Sequence, residues 1–232
     1  MLKNFSIDRK MAKIIFFQRI ELLSDFQKKI RKIFGRYIFT NFLVEYFLNI
    51  RKIEDIYYNR MLEEFNEIKE EIEKSNKSIL SIGGGLGGLE LILFSHFKQV
   101  NFAIIERNYI SKKIIYGWDS NNLEAYNNLD LTFKFLTTNG MTQNNFQIYD
   151  FDKKNLPIKK FDIIISLYSL DYHYDFKVYE DYFREITTEN TKFIFDTIRP
   201  DYFDTKFEYV KIISNHNQTV HRSKRLICKG FK

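Results

Sequence analysis

The chain has 232 residues, a formal charge of +6, 44% hydrophobic and 17% aromatic residues, and a single cysteine, Cys228. This much apolar content excludes a disordered class and supplies a domain-sized core. One cysteine excludes an internal disulfide and fits a reducing, cytoplasmic compartment. The absence of any run of 18 uncharged apolar residues argues against a spanning helix, and the first residues do not read as a signal peptide.

Residues 1–75 read as a helical extension. Ile15, Phe16, Ile20, Leu23, Phe26, Ile30, Ile33 and Phe34 recur mostly three and four apart, predicting one apolar stripe that Gly35 stops. Residues 38–50 are apolar on most sides and are expected to be buried. Residues 53–74 form a charged amphipathic pattern carrying Tyr57, Tyr58, Met61 and Phe65. Ten Lys/Arg in residues 1–36 stand against Asp8, Glu21 and Asp25, and residues 206–232 add seven basic residues against Glu208. That imbalance suits an anionic partner (nucleic acid, a phosphorylated substrate, or a membrane surface met by the basic helix near 11–34). It equally suits a solvated face, and the apolar stripe suits a homodimer contact.

From Ser78 onward, short apolar runs alternate with helical patterns. Strands are expected at 78–82, 100–106, 145–151, 161–167 and 192–198, with helices at 89–97, 121–138 and 176–186. Runs at 207–214 and 219–229 predict a closing hairpin through 215–218. Strand–helix alternation predicts a parallel sheet with right-handed crossovers, and the last pair adds an antiparallel strand. The chain therefore divides into a helical extension or lid, 1–75, and an α/β domain, 76–232.

Five of the nine glycines fall in 83–88, within S-I-G-G-G-L-G-G-L-E at 81–90. Gly83, Gly85 and Gly88 match G-x-G-x-x-G after a strand and before a helix. Such a turn brings backbone close to a ligand, and the helix N-terminus offers free N–H groups to a pyrophosphate or a carboxylate. Glu106 ends the second strand, 18 residues past Gly88, where its two oxygens can accept both ribose hydroxyls.

Taken together, I-L-S-I-G-G-G-L-G-G-L, I-I-E-R, D-F-D-K-K-N-L-P and F-D-I-I-I-S-L resemble the ordered motif series of class I S-adenosylmethionine-dependent methyltransferases. The resemblance implies a Rossmann-like α/β fold whose seven-stranded, mostly parallel sheet has an antiparallel last strand. It implies S-adenosylmethionine as cofactor. Gly83, Gly84, Gly85 and Gly87 would line its methionine part, and Glu106 would hold the ribose. Asp152, with Asp150 as its rival, would contact the adenine, and Ser166 would sit beside the methyl donor. The family usually carries an acid two residues before the first glycine. Ser81 stands there, which implies weaker binding or another acid in its stead.

The fourth strand leads into S-L-Y-S-L-D-Y-H-Y-D at 166–175, at the carboxyl end of the sheet, where α/β folds bind substrate. Of His96, His173, His216 and His221, only His173 is expected in that cleft, where imidazole can take a hydroxyl proton near neutral pH. Asp171 would orient it or act as base itself, and Tyr168, Tyr172 and Tyr174 would stack on a ring. His96 reads as structural, and His216 and His221 read as surface residues. The histidines lack a clustered ligand pattern, so no metal is expected.

The segment S-L-Y-S replaces the N-P-P-Y-type tetrad that presents a base's amino group, which argues against amino methylation of nucleic acid. The run I-G-G-G-L-G-G-L is also similar to loops of sugar O-methyltransferases of bacterial glycan pathways. The leading expectation is O-methylation of a small polar acceptor such as a saccharide. Behind it stand a nucleic-acid methyltransferase using the basic extension and a non-catalytic subunit that only binds the cofactor.

Overall fold

The structure, a computed structural model, describes residues 4–47, 49–112, 125–153, 155–216 and 222–232. Four helices precede the sheet: α1 (Arg9–Gln18), α2 (Asp25–Phe34), α3 (Arg36–Tyr46) and α4 (Ile50–Ile68). The α/β part then runs β1 (Ser78–Ile82), α5 (Gly88–Phe97), β2 (Asn101–Glu106), α6 (Leu129–Thr138), β3 (Phe146–Asp150), β4 (Ile163–Ser166), α7 (Glu180–Ile186), β5 (Lys192–Thr197), β6 (Phe207–Asn215) and β7 (Lys224–Phe231).

The seven strands form one sheet in the order β3-β2-β1-β4-β5-β7-β6. β1 pairs in parallel with β2 and β4, β2 with β3, and β4 with β5. β7 runs antiparallel to both β5 and β6. This is the expected sheet, antiparallel last strand included. The order reverses at β1, so β1 and β4 diverge at their carboxyl ends and leave a crevice there.

Strand alternation sends successive side chains to two cores. Ile79, Ile104, Ile163, Ile165 and Ile194 face a layer containing α1, α4, α5 and α6. Leu80, Ile105, Ile164, Phe193 and Phe195 face a second layer, where Phe176, Phe183, Phe203 and Phe207 pack largely edge to face. α5 is largely apolar and is buried from Gly88 to Leu93, Glu90 included. The extension and the sheet thus share one of the two cores.

Several expected elements differ. The single stripe through 15–34 breaks in two: α1 ends at Gln18, and Ser24 starts α2 with a reciprocal capping box to Gln27. α1 buries Met11, Ala12 and Ile14 to Phe17, whereas α2 turns Phe26, Ile33 and Phe34 outward and buries Arg31. α3 likewise exposes Ile38, Phe42 and Tyr46, against the expectation of an all-round buried segment. Of the helix expected at 121–138, residues 113–124 lie outside the described residues. Residues 125–128 are extended, because Asn128 caps α6 through Leu131 N. His216 is buried with Nε2 3.1 Å from Glu67, not at the surface. Residues 217–221, which include His221 and the second half of the turn expected at 215–218, lie outside the described residues. No described helix is long and apolar enough to cross a membrane.

Candidate active site

The turn after β1 works because three glycines adopt positive φ: Gly83 (+68°), Gly85 (+62°) and Gly87 (+96°). A side chain at Gly83 would put its Cβ 2.0 Å from Ser169 Oγ, so only glycine lets the loop lie against the end of β4. Gly85 is fixed on both sides of its peptide group. Its N–H donates to Glu106 Oε2 (3.0 Å), and its carbonyl accepts from Asn127 Nδ2 (2.9 Å) and Thr132 Oγ1 (3.1 Å). The second oxygen of Glu106 accepts from Arg107 N (2.9 Å), and burial pushes the Glu106 carboxyl upward.

Over this turn opens a cleft of about 890 Å³, its mouth included, lined by Gly83, Gly84, Gly85, Glu106, Tyr168 and His173. Its far wall comes from the extension. Phe17, Gln18 and Arg19 at the end of α1 line it, with Arg36 and Tyr57. Gln18 donates to the Tyr126 carbonyl (2.9 Å), Phe17 stacks on Tyr126 (5.8 Å between centroids), and the Arg36 guanidinium lies 4.3 Å from the same ring. These contacts clamp α1 and the 125–127 segment over the glycine turn.

Arg19 projects into a buried charge cluster. Its Nη1 lies 2.6 Å from Glu64 and 3.5 Å from Glu21, and Arg60 approaches the same two acids. Tyr168 belongs to this floor. Its hydroxyl accepts from Arg60 Nη2 (3.1 Å), its N–H donates to Asp196 Oδ2 (3.1 Å), and burial drives its phenol far upward. Arg225, fully buried, holds Asp196 through two hydrogen bonds (3.0 and 2.9 Å) and reaches Glu67 at 2.8 Å.

The expected site residues therefore separate. Gly83, Gly84, Gly85, Glu106, Tyr168 and His173 line one cavity. Ser81 lies beneath it, 3% exposed, its hydroxyl donating to Glu90. Gly87 is a packing glycine instead of a cradle: a Cβ there would meet Leu136 of α6 at 2.7 Å. The Ser166 hydroxyl is already committed, donating to the Ile82 carbonyl (2.8 Å) and accepting from Leu170 N (2.9 Å). Ser169 and Leu167 occupy the wall in its place.

Asp171 is fully buried, with Thr197 Oγ1 (2.5 Å) and Arg199 Nε and Nη2 donating to its carboxylate. Its charge is spent on the β4–β5 junction, so the structure does not support a base there. Asp150 and Asp152 lie away from the main cleft. Asp152 borders a separate cleft with Phe151, Leu156 and Ile158, while its N–H donates to Asp150 Oδ1 (3.2 Å). Beside Glu106, a narrow slot is lined by Arg107, Phe151, Tyr174 and Tyr179, with the Arg107 guanidinium 5.0 Å from Phe151 and 5.4 Å from Tyr174.

Gln18, Arg19, Arg36, Tyr126 and Asn127 carry no sequence signal for this site. They reach it through the packing of α1 on α3, α4 and α6 and through the segment that leads into α6.

No family model matches the chain, and no curated protein matches it. Solved structures do. The protein described as "StiE O-MT residues 961-1257" is 13% identical, with 84% of this chain and 81% of that one aligned at a TM-score of 0.52. The mitomycin 7-O-methyltransferase MmcR is 10% identical, with 93% and 60% covered at 0.50. PigF, solved with SAH, is 12% identical, with 75% and 64% covered at 0.49. The chain thus spans about 60% to 64% of the length of PigF and MmcR. At these identities the likeness to StiE O-MT and MmcR shows a shared fold alone.

Proposed function

We propose that the protein is an S-adenosylmethionine-dependent methyltransferase that methylates a hydroxyl of a small polar acceptor, a saccharide being the favoured class. One observation carries this reading: a single cavity joins the glycine cradle and Glu106 to His173 under an aromatic and polar lid. S-adenosylmethionine supplies a sulfonium-bound methyl group open to in-line displacement. The chain's part is to align the two reactants and exclude water, and such alignment lowers a barrier by several kcal/mol, up to about 7–11.

The residues fit that cofactor. Gly83, Gly84 and Gly85 line the cleft without side chains of their own to fill it. Each Glu106 oxygen accepts one backbone N–H and keeps a lone pair for a ribose hydroxyl. The adenine would lie on the side of Glu106 marked by Arg107, Phe151 and Tyr174, with Asp150 at the end of β3 and Asp152 just beyond it. His173 is the candidate base: its ring is exposed and lines the cavity, and an imidazole can remove a hydroxyl proton for roughly 10²–10⁴-fold. The solved relatives described as O-methyltransferases, and the one solved with SAH, agree with this reading.

A nucleic-acid acceptor calls for an open basic groove. The cations on this cavity wall are Arg19, held by Glu64, and Arg36, stacked on Tyr126. That enclosure favours a small acceptor. The test is calorimetric titration with S-adenosylmethionine, followed by labelled-methyl transfer to a monosaccharide panel. No heat at millimolar cofactor would overturn the assignment, and binding without transfer to any acceptor would make the chain a cofactor-binding subunit. Full turnover by His173→Ala would remove His173 as base.

A further inference from the structure

Beneath the cavity floor lies a carboxylate that the reading above does not use. Glu90, in the first turn of α5, is 2% exposed. Its Oε1 accepts from Ser81 Oγ, while Oε2 is buried with no hydrogen-bond partner among the described residues. A buried carboxylate oxygen left without a donor is costly, so it needs a proton or a cation. The carboxyl lies against the glycine turn: a Cβ on Gly84 would be 2.4 Å from Oε1 and 2.7 Å from Ser81 Oγ. Gly84, Tyr57 and Arg19, the groups that interact with Glu90, all line the cleft.

We infer that Glu90 is the counter-ion for the cofactor's cationic amino group, reaching from α5 to supply the charge that Ser81 lacks. The inference rests on S-adenosylmethionine being the ligand. Charge accounting supports it. The ligand brings an ammonium and a sulfonium with one carboxylate, to a wall whose ionised groups are Arg19, Arg36 and Glu106. With Glu106 at the ribose position, Glu90 is the remaining acid that touches the glycine turn.

The groups facing Glu90 are Ser81 from β1, Arg19 beyond α1, and Tyr57 and Glu64 from α4. Arg19 is already neutralised by Glu64 at 2.6 Å. Burial therefore dominates and pushes the Glu90 carboxyl to about 7, so near neutral pH it holds a proton part of the time. An arriving ammonium favours the ionised form and expels that proton.

The experiment titrates S-adenosylhomocysteine and methylthioadenosine, which lacks the amino-acid end, into the wild-type chain and Glu90→Gln. In the wild type, S-adenosylhomocysteine affinity should rise between pH 6 and 8. Binding at pH 6.5 should release protons, seen as a dependence of the heat on buffer ionisation enthalpy. Glu90→Gln should bind S-adenosylhomocysteine about ten- to a hundred-fold more weakly, bind methylthioadenosine unchanged, and keep only the ligand's own titration. Ser81→Asp placed on Glu90→Gln should restore part of the loss.

Equal binding by wild type and Glu90→Gln overturns the inference. So does an equal loss for both ligands, which would make Glu90 a support of the turn alone. If Glu90→Gln fails to fold, the wild-type arm decides: no proton release and no pH dependence would sink the inference. A wild-type chain that binds neither ligand fails the functional reading first, and the inference with it.

Discussion

At the scale of single residues, the acids around the cleft divide by what already holds them. Asp171 and His173 are two residues apart, yet one is fully buried and the other exposed. Asp171 accepts from Thr197 and Arg199, so Asp171→Ala strips the buried Thr197 hydroxyl of its acceptor and leaves Arg199 with Asp175 alone, and should cost about 1–3 kcal/mol in urea unfolding. His173→Ala should change stability by less than about 0.5 kcal/mol. A large loss from His173→Ala would make it a structural histidine. Glu90 yields a signed prediction. Its folded value of about 7 lies above the ordinary 4.5, so the folded state binds the proton more tightly. Its contribution to stability is complete below about pH 4.5, declines through the window from 4.5 to 7, and amounts to a loss of about 3 kcal/mol by pH 8. Glu90→Gln should therefore be more stable than wild type at pH 8 and little different at pH 5. A variant gaining stability while losing ligand would separate the residue's binding role from a scaffold role. The glycine turn, Glu106 and His173, each singled out in the sequence, line one cleft. The sequence could not tell Gly87, which packs on Leu136, from Gly83, which lines the cleft, because both glycines belong to the same short run. Nor could it show that the Ser166 hydroxyl is consumed by Ile82 and Leu170, a fact of three-dimensional neighbours.

At the scale of elements, periodicity located the helices but not always their inward faces. α1 begins at Asp8, which caps Met11 N at 2.9 Å, and its apolar side packs on α4 and α6. That packing delivers Phe17, Gln18 and Arg19 to the cleft. α2 follows the same three-and-four spacing, yet a change of direction between Arg19 and Ser24 turns Phe26, Ile33 and Phe34 to solvent and leaves Ile30 against the core. Spacing alone carries no information about that rotation, because it depends on where the intervening turn points the chain. The two helices should respond oppositely to polar or truncating substitution. Phe16→Ala removes a side chain that is 3% exposed and should cost about 3–5 kcal/mol. Ile33→Ser and Phe34→Ser act on side chains 76% and 59% exposed and should stay within about 0.5 kcal/mol. Chemical denaturation of the three variants decides this. A large cost at Ile33 would mean that α2 packs inward after all.

At the scale of the whole molecule, the helical extension and the sheet read as separable in the sequence, because the grammar changes at Ser78. The contacts cross that boundary at three levels. Phe5, Met11, Ile15, Tyr57, Met61 and Phe65 belong to the same core as Leu89, Ile92, Ile104 and Phe135. Gly88 packs directly on Tyr57 and Met61, where a Cβ would lie 2.6 to 2.8 Å from their atoms. Arg225, fully buried in the last strand, draws one of its three acid contacts from Glu67 of α4, and Lys192 in β5 reaches Glu73 at 2.5 Å. Cutting before residue 76 would bare one face of the largely apolar α5 and would strip Arg225 of part of its compensation. The burial lost in that cut is of the same kind that holds a small domain only a few kcal/mol from unfolding. A fragment of residues 76–232 is therefore expected to lack a cooperative thermal transition, to bind a hydrophobic dye, and to run as an expanded or aggregated species on gel filtration. The full chain should unfold in a single transition seen alike by near- and far-ultraviolet circular dichroism. If the fragment instead folds as a compact monomer with a sharp transition, the extension is an appended lid. The α1 contribution to the cleft could then be removed without unfolding the sheet that carries the glycine turn.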